Sequence, residues 1–145
     1  MCNLDHFKKI NDTFGHAAGD AVLQQGAACF QLCLRNEDIL GRLDGEEFGI
    51  LLVHCNSIIA QERCERLRES LTSVSIHSDN PDFRPSASFG LSSTTSSGYE
   101  LRRLLADADA ALYEAKRSGR NRVVQFGSPT TAQSRYVDDA RPMQI

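Results

Sequence analysis

The chain has 145 residues, 41% of them apolar and 24% charged, with a formal net charge of -3. That length and balance suit one soluble globular domain with a sizeable core, and the slight acidity argues against a general binder of nucleic-acid polymers. No apolar run approaches the length of a membrane span and the opening residues are polar and charged, unlike a secretory leader, so a cytoplasmic protein is expected.

Met1-Cys2-Asn3-Leu4-Asp5 reads as the tail of a strand, and residues 6–17 read as a loop with turn signals at Asn11-Asp12-Thr13 and Gly15-His16. From Asp20 to about Leu34 the spacing of Val22, Leu23, Cys29, Phe30, Cys33 and Leu34 predicts a helix with one apolar face. Ile39 to Val53 predicts a hairpin: two apolar runs flank Asp44-Gly45, a strong two-residue turn signal. A charged amphipathic helix is expected from Ile58 to about Leu71, with Ile58, Ile59, Cys64, Leu67 and Leu71 inward. Residues 77–85 read as a loop, Ser86–Ser92 as a strand and Ser93–Gly98 as a flexible linker. Glu100–Ser118 is the best helix, with a stripe of Leu101, Leu104, Leu105, Ala108, Ala111, Leu112 and Ala115 and a stop at Gly119. Arg122–Phe126 is a last strand, and the Ser, Thr, Pro and Gln of residues 128–145 predict a disordered tail. These elements give an α+β domain, with helices packed on a mostly antiparallel sheet.

The five cysteines (Cys2, Cys29, Cys33, Cys55, Cys64) are odd in number and form no CxxC, so reduced thiols are expected rather than disulfides or zinc. The four histidines show no ligand spacing. On the hairpin, successive side chains point to opposite faces, so Glu46 and Glu47 cannot both face one site directly.

The motifs around the hairpin carry the specific signal. Asn3-Leu4-Asp5-His6-Phe7-Lys8-Lys9-Ile10-Asn11-Asp12-Thr13-Phe14-Gly15-His16 is followed by Gly19-Asp20, and Arg42 precedes Asp44-Gly45-Glu46-Glu47-Phe48. Ser88-Phe89-Gly90 comes next, then Ala106-Asp107 to Lys116 and Gly119-Arg120-Asn121-Arg122. In order and spacing these segments resemble the GGDEF family of diguanylate cyclases over about residues 3–126, with a variant DGEEF signature.

The resemblance implies a fold like that of nucleotide cyclases and polymerase palms (ferredoxin-like). It implies a nucleotidyltransferase that condenses two GTP into cyclic di-GMP, releasing pyrophosphate, in bacterial signalling. Two domains would meet face to face as a homodimer, each holding one GTP, within a longer chain fused to a sensor or regulatory domain. The cofactor implied is Mg²⁺, with Mn²⁺ as a substitute, because a divalent ion must screen the triphosphate and polarise phosphorus.

Carried over by position, the metal ligands are Asn3, the Leu4 carbonyl and Glu46, while Gly45 allows close approach of the nucleotide and Glu47 is a supporting or proton-handling acid. Asn11 and Asp20 match the guanine-reading pair. His6, Phe7 and Lys8 match the phosphate loop, and Lys116 and Arg120 match cations on the terminal phosphates. Arg35 and Asp38 stand where the family has its product-inhibition site, with Arg66 as a third contact. Singly, each has a plainer explanation: Asp20 also suits a helix cap, and Lys116 and Arg120 suit a helix C-terminus.

The chain departs from the family pattern at three places. Asn3 replaces an Asp, which keeps an oxygen donor but removes a charge and should lower metal affinity. Asp44 replaces the first Gly of the signature and adds a carboxylate near a polyanion. The family's first helix and most of its first strand precede the position of Asn3, so the sheet is expected to lack a strand and to expose an unpaired edge. These departures support an alternative in which the domain is catalytically weak and works by binding GTP or cyclic di-GMP.

Overall fold

The computed structural model of the protein describes residues 1–75 and 83–128. The expected tail from 129 onward and most of the 77–85 loop lie outside the described residues. The elements run β1 (Cys2–Leu4), α1 (Phe7–Phe14), α2 (His16–Cys33), β2 (Ile39–Asp44), β3 (Glu47–Leu51), α3 (Ser57–Ser70), β4 (Ala87–Leu91), α4 (Thr94–Ser97), α5 (Leu101–Arg117) and β5 (Val123–Gln125).

The strands form one sheet in the order β2-β3-β1-β4-β5. Only the β4–β5 pairing is parallel, and β1 pairs antiparallel with both β3 and β4. The fold is therefore α+β with a mostly antiparallel sheet, as expected. β1, only three residues long, takes the centre of the sheet and the edges are β2 and β5; β1 pairs with Glu47 and Phe48 of β3 but not with residues 49–51, so the strand is present in short form.

Strand alternation sorts the two faces. Cys2, Leu4, Phe48 and Phe89 point to one side, where Phe30 of α2 meets both Phe48 and Phe89 edge-on at 5.8 Å. Leu67 of α3 and Leu71 beyond it complete this core. The other face is closed by α5, whose Ala108 carbonyl and Leu112 backbone lie where a Cβ on Gly90 would be. Only glycine lets the helix approach β4 this closely.

Several local expectations give way to tertiary structure. Residues 7–14 form α1 and α2 begins at His16, not Asp20. Gly15, at φ +86°, breaks the chain between the two helices, so the turn signals mark a helix–helix junction rather than a loop. The residues expected to form a flexible linker contain α4, capped by Ser93. Ile58 and Ile59 are exposed and Arg63 is buried in their stead. Leu101 and Leu105 are likewise exposed, because α5 crosses β4 at Ala108–Leu112 and its first turn lies past that crossing.

Candidate active site

The centre of the candidate site is the junction of β1 with the β2–β3 hairpin. Asn3 is the register partner of Glu47, and its Nδ2 donates to Glu47 Oε1 at 3.2 Å. Phe48 takes the core side of β3, so Glu47 faces Asn3. Glu46 lies in the turn, and its carbonyl accepts from Leu4 N at 3.2 Å. Of the two hairpin acids, Glu47 is the one whose side chain meets Asn3, while Glu46, expected as a metal ligand, is joined to β1 through its backbone.

The turn itself is Gly45-Glu46, not Asp44-Gly45: Asp44 is the last residue of β2, with a register shift between Arg42 and Asp44. Gly45 carries the left-handed backbone, at φ +40°, and Arg42 Nε donates to its carbonyl at 2.7 Å. Asp44 thus needs no left-handed conformation to replace glycine. The side-chain oxygens of Asn3 and Glu47 at this corner are hard donors of the kind a Mg²⁺-type ion takes. No three His, Cys, Asp or Glu side chains form a metal cluster among the described residues. At this corner one donor is a neutral amide, so the site brings less charge than an all-acid set would.

After β1 the chain turns at His6, left-handed at φ +55°, and enters α1 with no side-chain cap. The first amides of α1, at Phe7 and Lys8, therefore open toward solvent at the positive end of the helix, an arrangement suited to an anion. One turn on, Asn11 Oδ1 and the edge of the Phe7 ring lie against Gly19 of α2, where a Cβ would overlap the Asn11 amide. Phe7, Asn11 and the Gly19-Asp20 step are thereby brought together, and Asp20 is exposed on the same turn. Gly19 is a residue whose role the sequence reading passed over: it creates the space that holds Asn11.

Lys116 is half-buried on the last turn of α5, and Arg120 is exposed in the loop beyond. Burial pushes the Cys2 thiol well above its ordinary value, and among the charges acting on it in the other direction is Lys116, which brings that ammonium to the neighbourhood of β1. Arg120 and Asn121 are both left-handed, at φ +62° and +44°.

A second residue that sequence reasoning missed is Asp5, only 4% exposed. Its carboxylate accepts from Ser86 Oγ and Ser88 Oγ, both at 2.7 Å, and from Asn121 N at 3.0 Å. The available signal was an acid directly after a buried strand together with serines at alternate positions of another strand.

The Arg35–Asp38 pair behaves differently from the expectation. Arg35 and Arg66 are exposed, but the Asp38 side chain is fully buried against Arg63 of α3. Asp38 Oδ1 accepts from Val53 N at 3.1 Å and Arg63 Nη1 at 3.3 Å, and Oδ2 accepts from Arg35 N at 2.7 Å and from Arg63 Nη2. Burial alone would push this carboxyl up; the Arg63 guanidinium and the two backbone amides outweigh it and hold it at about 2. In this conformation the Asp38 acceptors are engaged by Arg63 and the backbone, because a buried carboxylate must be paired.

A cavity of about 280 Å³ beside α1 is lined by Lys9, Ile10, Phe14 and Phe83 among others, and shares only His6 with the expected site residues. A shallower hollow of about 310 Å³ between α2 and the hairpin is lined by Leu23, Gln24, Leu40, Arg42 and Phe48.

A mostly antiparallel sheet with an acidic hairpin beside its central strand is the architecture of solved GGDEF domains. The family described as "Diguanylate cyclase, GGDEF domain" matches residues 1–122, and the chain belongs to that family. It is 42% identical over 123 residues to diguanylate cyclase A of Treponema denticola, a match covering 85% of this chain and 33% of that protein. It is 38% identical over 128 residues to the probable diguanylate cyclase DgcT of Escherichia coli, covering 86% of this chain and 28% of that one. The chain thus spans about a third or less of these relatives.

Among solved structures, the active GGEEF domain of a diguanylate cyclase from Vibrio cholerae superposes with a TM-score of 0.80 at 32% identity, covering 88% of this chain and 81% of that one. The GGDEF domain of DgcB from Caulobacter crescentus, in complex with c-di-GMP, gives a TM-score of 0.76 at 30% identity, covering 88% and 75%. No helix among the described residues is long and apolar enough to cross a membrane.

Proposed function

We propose that the chain is a diguanylate cyclase-type domain that binds GTP and condenses two molecules into cyclic di-GMP as a face-to-face homodimer, within a longer signalling protein. The observation that carries the reading is the Asn3–Glu47 pair at the centre of the sheet, with Glu46 bonded to Leu4 beside it. Asn11 and Asp20 would read the guanine, the α1 amides at Phe7 and Lys8 would cradle phosphates, and Lys116 and Arg120 would neutralise the terminal phosphates.

A divalent ion, Mg²⁺ or Mn²⁺, would sit on Asn3, the Leu4 carbonyl and the hairpin acids. When bound it supplies charge screening and polarisation of the α-phosphorus for attack by a ribose 3'-hydroxyl. Glu47 is the hairpin acid that Asn3 already engages. Gly45 leaves the turn free of side chain on the nucleotide's approach.

One observation favours a slow or binding-only form of this activity. The Asn3 amide donates to Glu47, so the neighbouring acid meets a neutral hydrogen-bond donor where an Asp would add a second charge for the metal. Purified protein with Mg²⁺ and GTP is expected to bind nucleotide but yield little cyclic di-GMP, read by chromatography of the product. Robust turnover would refute the slow reading, and absence of any GTP binding would refute the functional reading as a whole. Arg35 and Arg66, exposed near the hairpin's base, remain the proposed contacts for cyclic di-GMP.

A further inference from the structure

Asp5 belongs to neither the metal corner nor the guanine-facing residues, yet it is buried and accepts three hydrogen bonds from two distant segments of the chain. Ser86 and Ser88 fix it to β4, and Asn121 N fixes it to the loop after α5. In the turn after β1 it directly precedes His6, whose left-handed backbone starts α1. One carboxylate therefore stands between the helix start that carries Phe7 and Lys8 and the loop that carries Arg120.

The loop needs this anchor. Gly119, Arg120 and Asn121 have φ of +118°, +62° and +44° in succession, and the last two are residues that seldom adopt such values together. The conformation is held by Arg120 N donating to the Ala115 carbonyl at 3.0 Å on one side and Asn121 N donating to Asp5 at 3.0 Å on the other. Arg68 Nη1 adds a bond to Asn121 Oδ1 at 3.0 Å. Where the Arg120 side chain leaves the backbone is set between the first two bonds.

We infer that Asp5 is a positioning residue for triphosphate binding: it ties the phosphate-facing start of α1 to the Arg120 loop and so fixes the spacing between them. The inference rests on the nucleotide reading proposed above, but it concerns the phosphate end alone. Among the described residues, no hydrogen bond joins Asp5 to Asn11 or Asp20, at the guanine end.

Asp5→Asn tests it. An asparagine offers one neutral acceptor oxygen, so the donors lose a charged acceptor and at least one of the three bonds must reverse or break, without change of size. Heteronuclear NMR titrations with GTP and with guanosine, each in MgCl₂, give the readout. The expected result is a GTP affinity about tenfold weaker, equivalent to about 1.4 kcal/mol, with guanosine affinity changed less than about twofold. In an Asp5→Asn/Arg120→Ala double variant, the loss in GTP affinity should fall short of the sum of the single losses, because Asp5 acts through Arg120.

Equal losses for GTP and guanosine, or no loss for either, would overturn the inference. If Asp5→Asn does not fold, Ser86→Ala removes one bond at a half-buried hydroxyl; a threefold or greater loss specific to GTP would support the inference, and an unchanged ratio would overturn it. A wild-type protein that binds neither GTP nor guanosine would instead refute the nucleotide reading beneath it.

Discussion

Replacing Arg63 with methionine should strip the fully buried Asp38 carboxylate of its one charged partner among the described residues. Asp38 would keep the amides of Arg35 and Val53 but lose both guanidinium bonds. Breaking a buried ion pair from one side costs about 3–5 kcal/mol; the two surviving amides put the expected loss near the low end, roughly 3 kcal/mol. Against a domain stability of about 5–15 kcal/mol, that is a large share. The pH dependence gives an independent handle. The Asp38 carboxyl is held at about 2 from an ordinary value of 3.8. A depressed acid contributes stability that is present above its unfolded value and is lost as pH falls through the folded one. Here that is roughly 2–3 kcal/mol, present above about pH 4 and gone near pH 2. Urea unfolding of wild type and variant from pH 7 to pH 2.5 should show a gap that is widest above about pH 5 and narrows below pH 4. Asp38→Asn combined with Arg63→Met should recover part of the loss. A deficit under about 1 kcal/mol at pH 7, or a gap indifferent to acid, would refute the assignment of Asp38 to Arg63.

Asn3→Asp with Asp44→Gly should raise cyclic di-GMP formation from Mg²⁺ and GTP by restoring an acid beside Glu47 and removing one at the end of β2; no change in a folded double variant would place the defect elsewhere. Gly19→Ala puts a methyl group onto the Asn11 amide and should weaken GTP binding about tenfold or more while leaving the thermal midpoint within a few degrees, measured by calorimetry and by thermal melting. Arg35→Ala should abolish cyclic di-GMP binding in calorimetry, and unchanged affinity would remove that residue from the proposed product contact.

Much of this molecule was legible in the sequence because it depends on neighbours along the chain. The apolar runs on either side of residues 44–46, the helical stripe ending at Ala115 and the Ser88-Phe89-Gly90 strand are all local patterns, and together they carried the family and the order of the elements. Local propensity failed where a glycine or a packing contact decided the matter. Gly15 let two helices meet where turn residues suggested a loop, and the crossing at Gly90 chose Ala108 and Leu112 over Leu101 and Leu105 as the core side of α5.

The site divides in the same way. Strand alternation would separate two acids only if both lay on the strand, and Glu46 lies in the turn; that Glu47 is the one beside Asn3 depended on where the turn falls, and so on the register of β3 against β1. Asp5 meets Ser88 and Asn121 across 83 and 116 residues, and Asp38 meets Arg63 across 25. No pattern of spacing encodes such partners. A buried carboxylate must find donors, and which donors lie within reach is settled only when the sheet, α3 and the loop after α5 have packed together.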